Sequence, residues 1–264
     1  MKFPECSLNK EETMISIQRK VIHHVPVLEI VDNDKENEKV PLAIFFHGIT
    51  GRKERGLEAG YELAKQGMRV VVPDAFLHGE RKEEEFNGKK EMEFWTIVWH
   101  SIEELPYLVD HYVTEKLALA DRVSVTGLSM GAITTCMALA KYPWIFAGGC
   151  LMGNPDPIGF TEWILTSNWV EGMEPVNKEV AVQLMEPFRE LSLQESPEKL
   201  AGRPFYIWHG TADNSVPFEQ MEAFVSEIKD EPYASNMHYD YYEGHGHKVP
   251  YEIFEKMAAF LGKQ

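Results

Sequence analysis

The chain contains 264 residues, of which 44% are hydrophobic, and it carries a formal net charge of −16 at pH 7. This length suits one α/β domain with a large core, and the hydrophobic content excludes an intrinsically disordered chain. The negative charge repels phosphate backbones and anionic lipids, so we expect no nucleic-acid or membrane partner.

Short apolar segments alternate with longer amphipathic ones, which predicts an α/β fold with a mainly parallel sheet. The predicted strands cover, in chain order, residues 21–31, 42–46, 68–72, 122–126, 146–152, 204–208 and 238–242. The predicted helices cover residues 57–66, 94–109, 132–140, 218–228 and 251–261. His23 and His24 lie on the first predicted strand, so we expect them to face opposite sides of it.

The strand at 42–46 is followed by the glycine-rich sequence His-Gly-Ile-Thr-Gly at residues 47–51. Glycines let a backbone approach a substrate closely, and such a loop can supply a backbone N–H group to a developing oxyanion. We assign this donor to Ile49, with Thr50 as the alternative. His47 is expected to hold the loop rather than to carry protons.

The most informative segment is Gly-Leu-Ser-Met-Gly at residues 127–131, between a predicted strand and a predicted helix. A serine at a sharp strand-to-helix turn is a nucleophile elbow, in which flanking glycines avoid a clash. The turn presents the hydroxyl of Ser129, and the helix that follows directs its first N–H groups toward negative charge. Ser129 is therefore the candidate nucleophile, and the N–H of Met130 is the other candidate oxyanion donor.

The alternation of strands and helices fails in residues 153–201, which hold two tryptophans and several prolines and methionines. We interpret this segment as a small helical cap inserted into a single domain that covers residues 1–264. Four large apolar side chains from this segment and its surroundings are expected to line an acyl pocket. They are Trp95, Met152, Trp163 and Trp169.

A serine hydroxyl is a weak nucleophile near neutral pH, so it needs a base, and the base needs an orienting partner. Asp213 lies just beyond the strand at 204–208, at the sheet edge where sites in open α/β sheets gather. We assign the acid to Asp213. Asp156, between two prolines, is the competing carboxylate and resembles a turn residue.

The base is expected after the last strand, where residues 244–247 read Gly-His-Gly-His. His247 directly precedes the closing helix and follows a glycine, so we prefer it over His245. A pair of histidines with no third ligand nearby makes a poor zinc site, and we expect neither a metal nor a cofactor.

Cysteine usage and the start of the chain bear on the compartment. The three cysteines Cys6, Cys136 and Cys150 form no disulfide framework, and Cys136 is expected to be a core residue. The first residues lack the apolar stretch of a signal peptide, and no segment approaches the roughly 18 apolar residues of a membrane span. We therefore expect a soluble, cytoplasmic protein.

Residues 209–217, which contain Asp213, read His-Gly-Thr-Ala-Asp-Asn-Ser-Val-Pro. Together with the motifs at 47–51, 127–131 and 244–247, this motif resembles those of the serine α/β-hydrolase superfamily, in the same order. Within it, the chain is similar to small bacterial esterases of the prolyl-oligopeptidase-like and dienelactone-hydrolase-like group. Ser129 departs from the cysteine nucleophile of dienelactone hydrolases. The chain is also too short to contain the propeller domain of prolyl oligopeptidases.

The resemblance implies an α/β-hydrolase fold, with a mainly parallel central sheet flanked by helices and a small helical cap. It implies a carboxylesterase that works through an acyl-enzyme on Ser129, with His247 as base and Asp213 as its orienting acid. The expected partner is a small-molecule ester, and the oligomeric state stays open. Two alternatives remain, a serine peptidase of small peptides or amides and a non-catalytic ligand-binding protein.

Overall fold

The computed structural model describes residues 13–82, 93–171 and 177–264. Its strands are β1 (Ile15–Ile22), β2 (Val25–Asp32), β3 (Val40–Phe46), β4 (Arg69–Pro73), β5 (Ala118–Leu128), β6 (Ala147–Leu151), β7 (Phe205–Gly210) and β8 (Met237–Tyr242). Its α-helices are α1 (Leu57–Lys65), α2 (Phe94–Thr114), α3 (Met130–Lys141), α4 (Pro157–Ile164), α5 (Lys178–Met185), α6 (Phe218–Ile228) and α7 (Tyr251–Gly262). Each predicted strand and helix is present, and the first predicted strand is part of the β1–β2 hairpin.

The eight strands form one sheet in the order β1-β2-β4-β3-β5-β6-β7-β8. Every pair from β4 to β8 is parallel, whereas β1 and β2 are added antiparallel at one edge. The carboxyl ends of parallel strands lie at the same edge of a sheet, so the loops after β3, β5, β7 and β8 meet there. The predicted α/β fold with a mainly parallel sheet is confirmed.

Side chains that alternate along the strands divide the core into two layers. In β3, Leu42, Ile44 and Phe46 enter one cluster, while Ala43 and Phe45 enter the other. The first cluster includes residues of α2, α3 and α6, and the second includes residues of α1 and α7. Because helices cover both faces, a central strand must be apolar at every position, as residues 42–46 are.

Close packing between α3 and the sheet explains two glycines of the segment 127–131. A Cβ atom on Gly131 would overlap the carbonyl oxygen of Phe46, and one on Gly127 would overlap the backbone of Gly131. Backbone atoms cannot turn away as a flexible side chain can, so both positions require glycine. The contact brings the start of α3 against the end of β3.

The prediction that His23 and His24 face opposite sides of a strand is wrong. Both occupy the two-residue turn between β1 and β2, with φ angles of 47° and 70°. Two residues of positive φ fit the twist of a tight hairpin, in which glycine, asparagine or aspartate usually marks the turn. Histidine is not a usual turn residue, so the sequence predicts one continuous strand over residues 21–31 where the structure has a hairpin turn.

The segment between β6 and β7 is helical in its described residues, with α4, α5 and several 3-10 turns. Asp156 caps α4, since its carboxylate accepts the N–H of Ile158 at 3.0 Å. The competing carboxylate therefore stabilises a helix end. The role of residues 153–201 as a cap stays a prediction. Within the described ranges, none of the helices has the length and apolarity needed to span a bilayer.

Candidate active site

The backbone at Ser129 is held in a strained conformation between β5 and α3. Its φ and ψ angles are 55° and −121°, values that a residue with a side chain rarely adopts. The N–H of Ser129 donates to the carbonyl of Leu151 at 2.9 Å, and its own carbonyl accepts the N–H groups of Ala132 and Ile133. These bonds hold the turn that the glycines at 127 and 131 permit.

Three side chains from different loops form one hydrogen-bonded series. Ser129 Oγ lies 2.8 Å from His247 Nε2, and His247 Nδ1 lies 2.7 Å from Asp213 Oδ2. Nδ1 donates to the ionised carboxylate of Asp213, which leaves Nε2 free to accept the proton of the serine hydroxyl. This is the tautomer that a general base requires.

His245, the other candidate base, lies outside this series. Its Nδ1 is 3.2 Å from the carbonyl oxygen of Glu243 in its own loop. Its backbone carbonyl accepts the N–H of Ala212 at 2.8 Å, which ties the loop after β8 to the loop after β7. The backbone of His245 thus helps to bring His247 and Asp213 together.

Asp213 is buried and fully engaged. Its Oδ1 accepts the backbone N–H groups of Ser215 and Val216 at 2.8 and 3.0 Å. Burial raises the pKa of the Asp213 carboxyl, but hydrogen bonds from His209, His247 and the Val216 N–H outweigh burial and hold this pKa well below its ordinary value. The group is therefore ionised at neutral pH.

His209 is a fully buried residue of the site that we did not single out from the sequence. Its Nε2 lies 3.0 Å from the carbonyl oxygen of Val216, so Nε2 carries the proton, and it also lies 3.4 Å from Asp213 Oδ2. The available signal was a histidine at the end of a buried strand, four residues before the acid. His209 adds positive potential next to the carboxylate that orients His247.

The candidate oxyanion donors lie next to Ser129, since Met130 follows it directly in the chain and Ile49 lines the same pocket. Met130 is the first residue of α3, and the first N–H groups of a helix have no acceptor within the helix. The N–H of Thr50 donates to His78 Nε2 at 3.1 Å, whereas within the described residues the N–H of Ile49 has no hydrogen-bond acceptor. The geometry therefore favours Ile49 over Thr50.

The peptide unit that carries the Ile49 N–H is fixed through its oxygen. Gly48 O lies 2.8 Å from His47 Nδ1 and accepts the N–H of Gly51 at 3.0 Å. In a planar trans peptide the C=O and N–H bonds point in opposite directions. Two donors on Gly48 O thus aim the Ile49 N–H away from His47.

A pocket of about 880 Å³ opens at these groups. Its lining includes Ile49, Ser129, His247, Met152 and Trp169. Two of the four predicted pocket residues, Met152 and Trp169, are thus at the pocket.

The other two, Trp95 and Trp163, are not among its lining residues. They belong to an aromatic cluster in which Trp163 stacks on Phe160 at 5.6 Å between ring centroids, and Trp95 meets the same ring edge-on at 6.3 Å. Trp169 also meets the ring of Phe160 edge-on, at 5.9 Å between centroids, and so connects the cluster to the pocket. Across the described ranges, no cluster of three or more His, Cys, Asp or Glu side chains is arranged to hold a metal ion.

Comparisons with known proteins bear on the family and the fold. Residues 63–264 match the sequence model of the prolyl oligopeptidase family. The protein named "Putative esterase YitV" of Bacillus subtilis (strain 168) is 41% identical over 219 residues, which cover 82% of this chain and 85% of that protein. "Esterase YjfP" of Escherichia coli (strain K12) is 30% identical over 216 residues, which cover 78% of this chain and 82% of that protein.

Among solved structures, TT1662 from Thermus thermophilus superposes with a TM-score of 0.74 at 19% identity. The match covers 95% of this chain and 98% of that chain. At this identity the likeness shows a shared fold and nothing about activity.

Ionisation of Asp213 should make stability depend on pH in a specific window. The folded-state pKa lies below the ordinary value of 3.8, so the carboxylate stabilises the fold at any pH above that value. This contribution is lost as the pH falls through the lowered pKa. Urea unfolding should show a stability gap between wild type and Asp213→Asn that is constant above about pH 5 and shrinks below about pH 4.

Asp110→Asn, which removes an exposed carboxylate from α2, controls for the loss of one negative charge. A gap between wild type and Asp213→Asn that stays constant down to about pH 3 would contradict the lowered pKa.

Proposed function

Because the chain belongs to the prolyl oligopeptidase family, we propose that it is a serine hydrolase that cleaves carboxylic esters. The observation that carries this proposal is the hydrogen-bonded series from Ser129 through His247 to Asp213, with distances of 2.8 and 2.7 Å. Two relatives at 41% and 30% identity whose names call them esterases support ester substrates over amides.

The reaction proceeds by acyl transfer to Ser129. Its Oγ attacks the ester carbonyl carbon while His247 Nε2 takes the hydroxyl proton, and the carbonyl π electrons move onto oxygen. When the tetrahedral intermediate collapses, the carbon–oxygen bond to the alcohol breaks and the imidazolium protonates the departing alkoxide. A water molecule then attacks the acyl-serine by the same sequence of steps, which releases the acid and restores Ser129.

Asp213 keeps His247 productive in both half-reactions. Its carboxylate accepts the Nδ1 proton, which holds the imidazole in one tautomer and stabilises the imidazolium that forms. The hydrogen bonds that lower the pKa of Asp213 keep it ionised while the neighbouring ring becomes charged. A proton transfer from His247 to Asp213 is therefore unfavourable.

The oxyanion is stabilised by the backbone N–H groups of Ile49 and Met130. Both belong to elements fixed before substrate arrives, since Met130 begins α3 and the Ile49 peptide is held through Gly48 O. Donors that need no reorganisation act most strongly on a charge that exists only in the transition state.

Residues 153–201 act as a cap over the acyl pocket. Asn168, Trp169 and Glu171, all from this segment, line the same pocket as Ser129. Trp169 and Met152 supply apolar wall, and the described lining residues include one carboxylate, Glu171, and no lysine or arginine. The site therefore favours acyl groups that are neutral or cationic over acyl groups that carry a carboxylate.

The formal net charge of −16 supports a small-molecule ester as substrate, without a nucleic-acid or anionic-membrane partner. In this proposal the enzyme acts on esters in the cytoplasm and uses no cofactor.

Replacing Ser129 should remove the hydrolytic activity. Ser129→Ala deletes the attacking oxygen, so hydrolysis of p-nitrophenyl acetate and butyrate should fall in kcat by a factor on the order of 10⁶. Ser215→Ala is the matched control, because it removes a hydroxyl from the pocket but keeps the backbone N–H that Asp213 accepts. This control should retain activity close to that of wild type.

Equal rates of ester hydrolysis for wild type and Ser129→Ala would refute the assignment of Ser129 as the nucleophile. A fluorophosphonate probe should modify Ser129 in wild type, and failure to do so would favour a ligand-binding role. The p-nitroanilide of the same acyl group tests the peptidase alternative. Faster cleavage of the anilide than of the ester would favour a peptidase.

Removing the N–H of Ile49 should slow the chemistry with little effect on the fold. Proline has no N–H and is favoured at the second position of a turn such as the one closed between Gly48 and Gly51. Ile49→Pro should lower kcat about 10²- to 10³-fold. Ile49→Ala removes the same side chain but keeps the N–H, so it is the matched control and should lose far less, and equal losses would rule out the N–H as donor.

Glu171 should set a charge preference for the acyl group. Wild type should hydrolyse a trimethylammonium acyl ester a few-fold faster than its uncharged tert-butyl isostere at low salt, because the carboxylate attracts the cation. Glu171→Gln should remove this preference, and salt should weaken it. Glu179→Gln, in a different surface pocket beside α5, removes the same charge and should leave the preference intact; a preference unchanged by Glu171→Gln would refute the assignment.

A further inference from the structure

Two buried imidazoles lie next to the loop that carries Ile49. His47 and His78 are 1% and 0% exposed, and their ring centroids are 5.2 Å apart. His47 directly follows β3, whereas His78 lies in the segment after β4. Neither ring has a part in the proton transfers of the proposed reaction, yet burying two imidazoles beside a site needs a reason.

The loop contains a strained residue that needs support. Gly51 N–H donates to Gly48 O at 3.0 Å, which closes a four-residue turn, and Thr50 at its third position has a φ of 63°. A positive φ at that position is typical of a type II turn and usually requires glycine. Threonine is β-branched, so this conformation costs free energy and would relax if nothing held it.

His78 supplies a hydrogen bond at the strained position. The N–H of Thr50 donates to His78 Nε2 at 3.1 Å, and His78 Nδ1 lies 2.8 Å from the carbonyl oxygen of Phe76. A carbonyl oxygen can only accept and an amide N–H can only donate. Nδ1 therefore carries the proton and Nε2 is the acceptor, so these contacts require the neutral ring in one tautomer.

The segment that carries His78 is itself anchored to the same loop. Lys53 donates to Asp74 twice, from its backbone N at 2.8 Å and from Nζ at 2.7 Å, and both side chains are buried. The N–H of Ala75 donates to His47 Nε2 at 3.1 Å. These bonds hold the segment that carries His78 in a fixed position relative to the turn.

We propose that His78 is a positioning residue for the oxyanion hole. The Thr50 N–H belongs to the central peptide of the turn, the unit that flips when a type II turn becomes type I. By accepting this N–H, His78 prevents the flip that would relieve Thr50, and so keeps the neighbouring Ile49 N–H aimed at the oxyanion. The inference rests on the proposed function, since it assigns a role to a group beside that same site.

A pair of variants separates the hydrogen bond from the bulk of the ring. His78→Phe keeps a buried ring but has no acceptor, and it should lower kcat about 10- to 100-fold with KM little changed, because a misplaced donor weakens transition-state binding. His78→Gln places an amide oxygen near the position of Nε2 and should retain most of kcat. Equal losses in the two variants would overturn the proposal.

A double-mutant cycle tests whether His78 acts through Ile49. In the Ile49→Pro background the N–H is absent, so His78→Phe should cause almost no further loss of kcat. A merely structural role predicts that the two losses multiply. Multiplicative losses would therefore overturn the proposal, even if each single variant is slow.

Stability is followed separately by thermal unfolding. Val72→Ala shortens a buried side chain in the strand before Asp74, and it should lower Tm without changing kcat. A kcat loss in Val72→Ala equal to that in His78→Phe would attribute the effect to loosened packing. If His78→Phe does not fold, His78→Met, which has a flexible apolar side chain and only a weak acceptor, takes its place.

The rate of labelling by a fluorophosphonate keeps this test distinct from that of the proposed function. Labelling of Ser129 needs the nucleophile and the oxyanion hole but no particular ester. If wild type is labelled and hydrolyses no ester, the esterase proposal fails while the labelling rate of His78→Phe still tests His78. Labelling at the wild-type rate in His78→Phe would overturn the positioning role.

Discussion

The arrangement of the site depends on how closely the first turn of α3 approaches the end of β3. Gly131 lies against the carbonyl of Phe46, and Gly127 lies against the backbone of Gly131, with no room for a side chain at either position. This contact joins two segments that are far apart in the sequence, the strained turn at Ser129 and the loop at 47–51. The candidate nucleophile and the candidate oxyanion donors therefore share one rigid support, and parallel strands bring the other groups of the site to it.

Much of the fold could be predicted because buried parallel strands give short, continuous apolar segments in the sequence. Residues 42–46 and 204–208 are apolar at nearly every position because helices cover both faces of the sheet. The glycines around Ser129 and the histidine after the last strand are local signals as well. The hairpin turn at His23 and His24 left no mark, since neither residue is a usual turn former.

What could not be predicted is set by contacts between loops. The position of His247 before the closing helix favours it over His245, but its contact with Ser129 depends on how the loops after β7 and β8 pair, which the sequence does not show. Trp95 and Trp163 are large apolar residues of the kind that often line pockets, but their rings pack on Phe160. His78 and His209 form hydrogen bonds with backbone groups of neighbouring loops, and the position of a residue in the sequence does not reveal such partners.

The loop after β8 also determines when the candidate site is complete during synthesis of the chain. This strand forms one edge of the sheet and is the last in the chain, and His247 follows it. A growing polypeptide on the ribosome therefore carries Ser129, the candidate nucleophile, well before it carries His247, the candidate base. In a partly synthesised molecule that lacks the loop after β8, the Ser129 hydroxyl has no imidazole from residue 247 beside it, so the proposed reaction requires the completed fold.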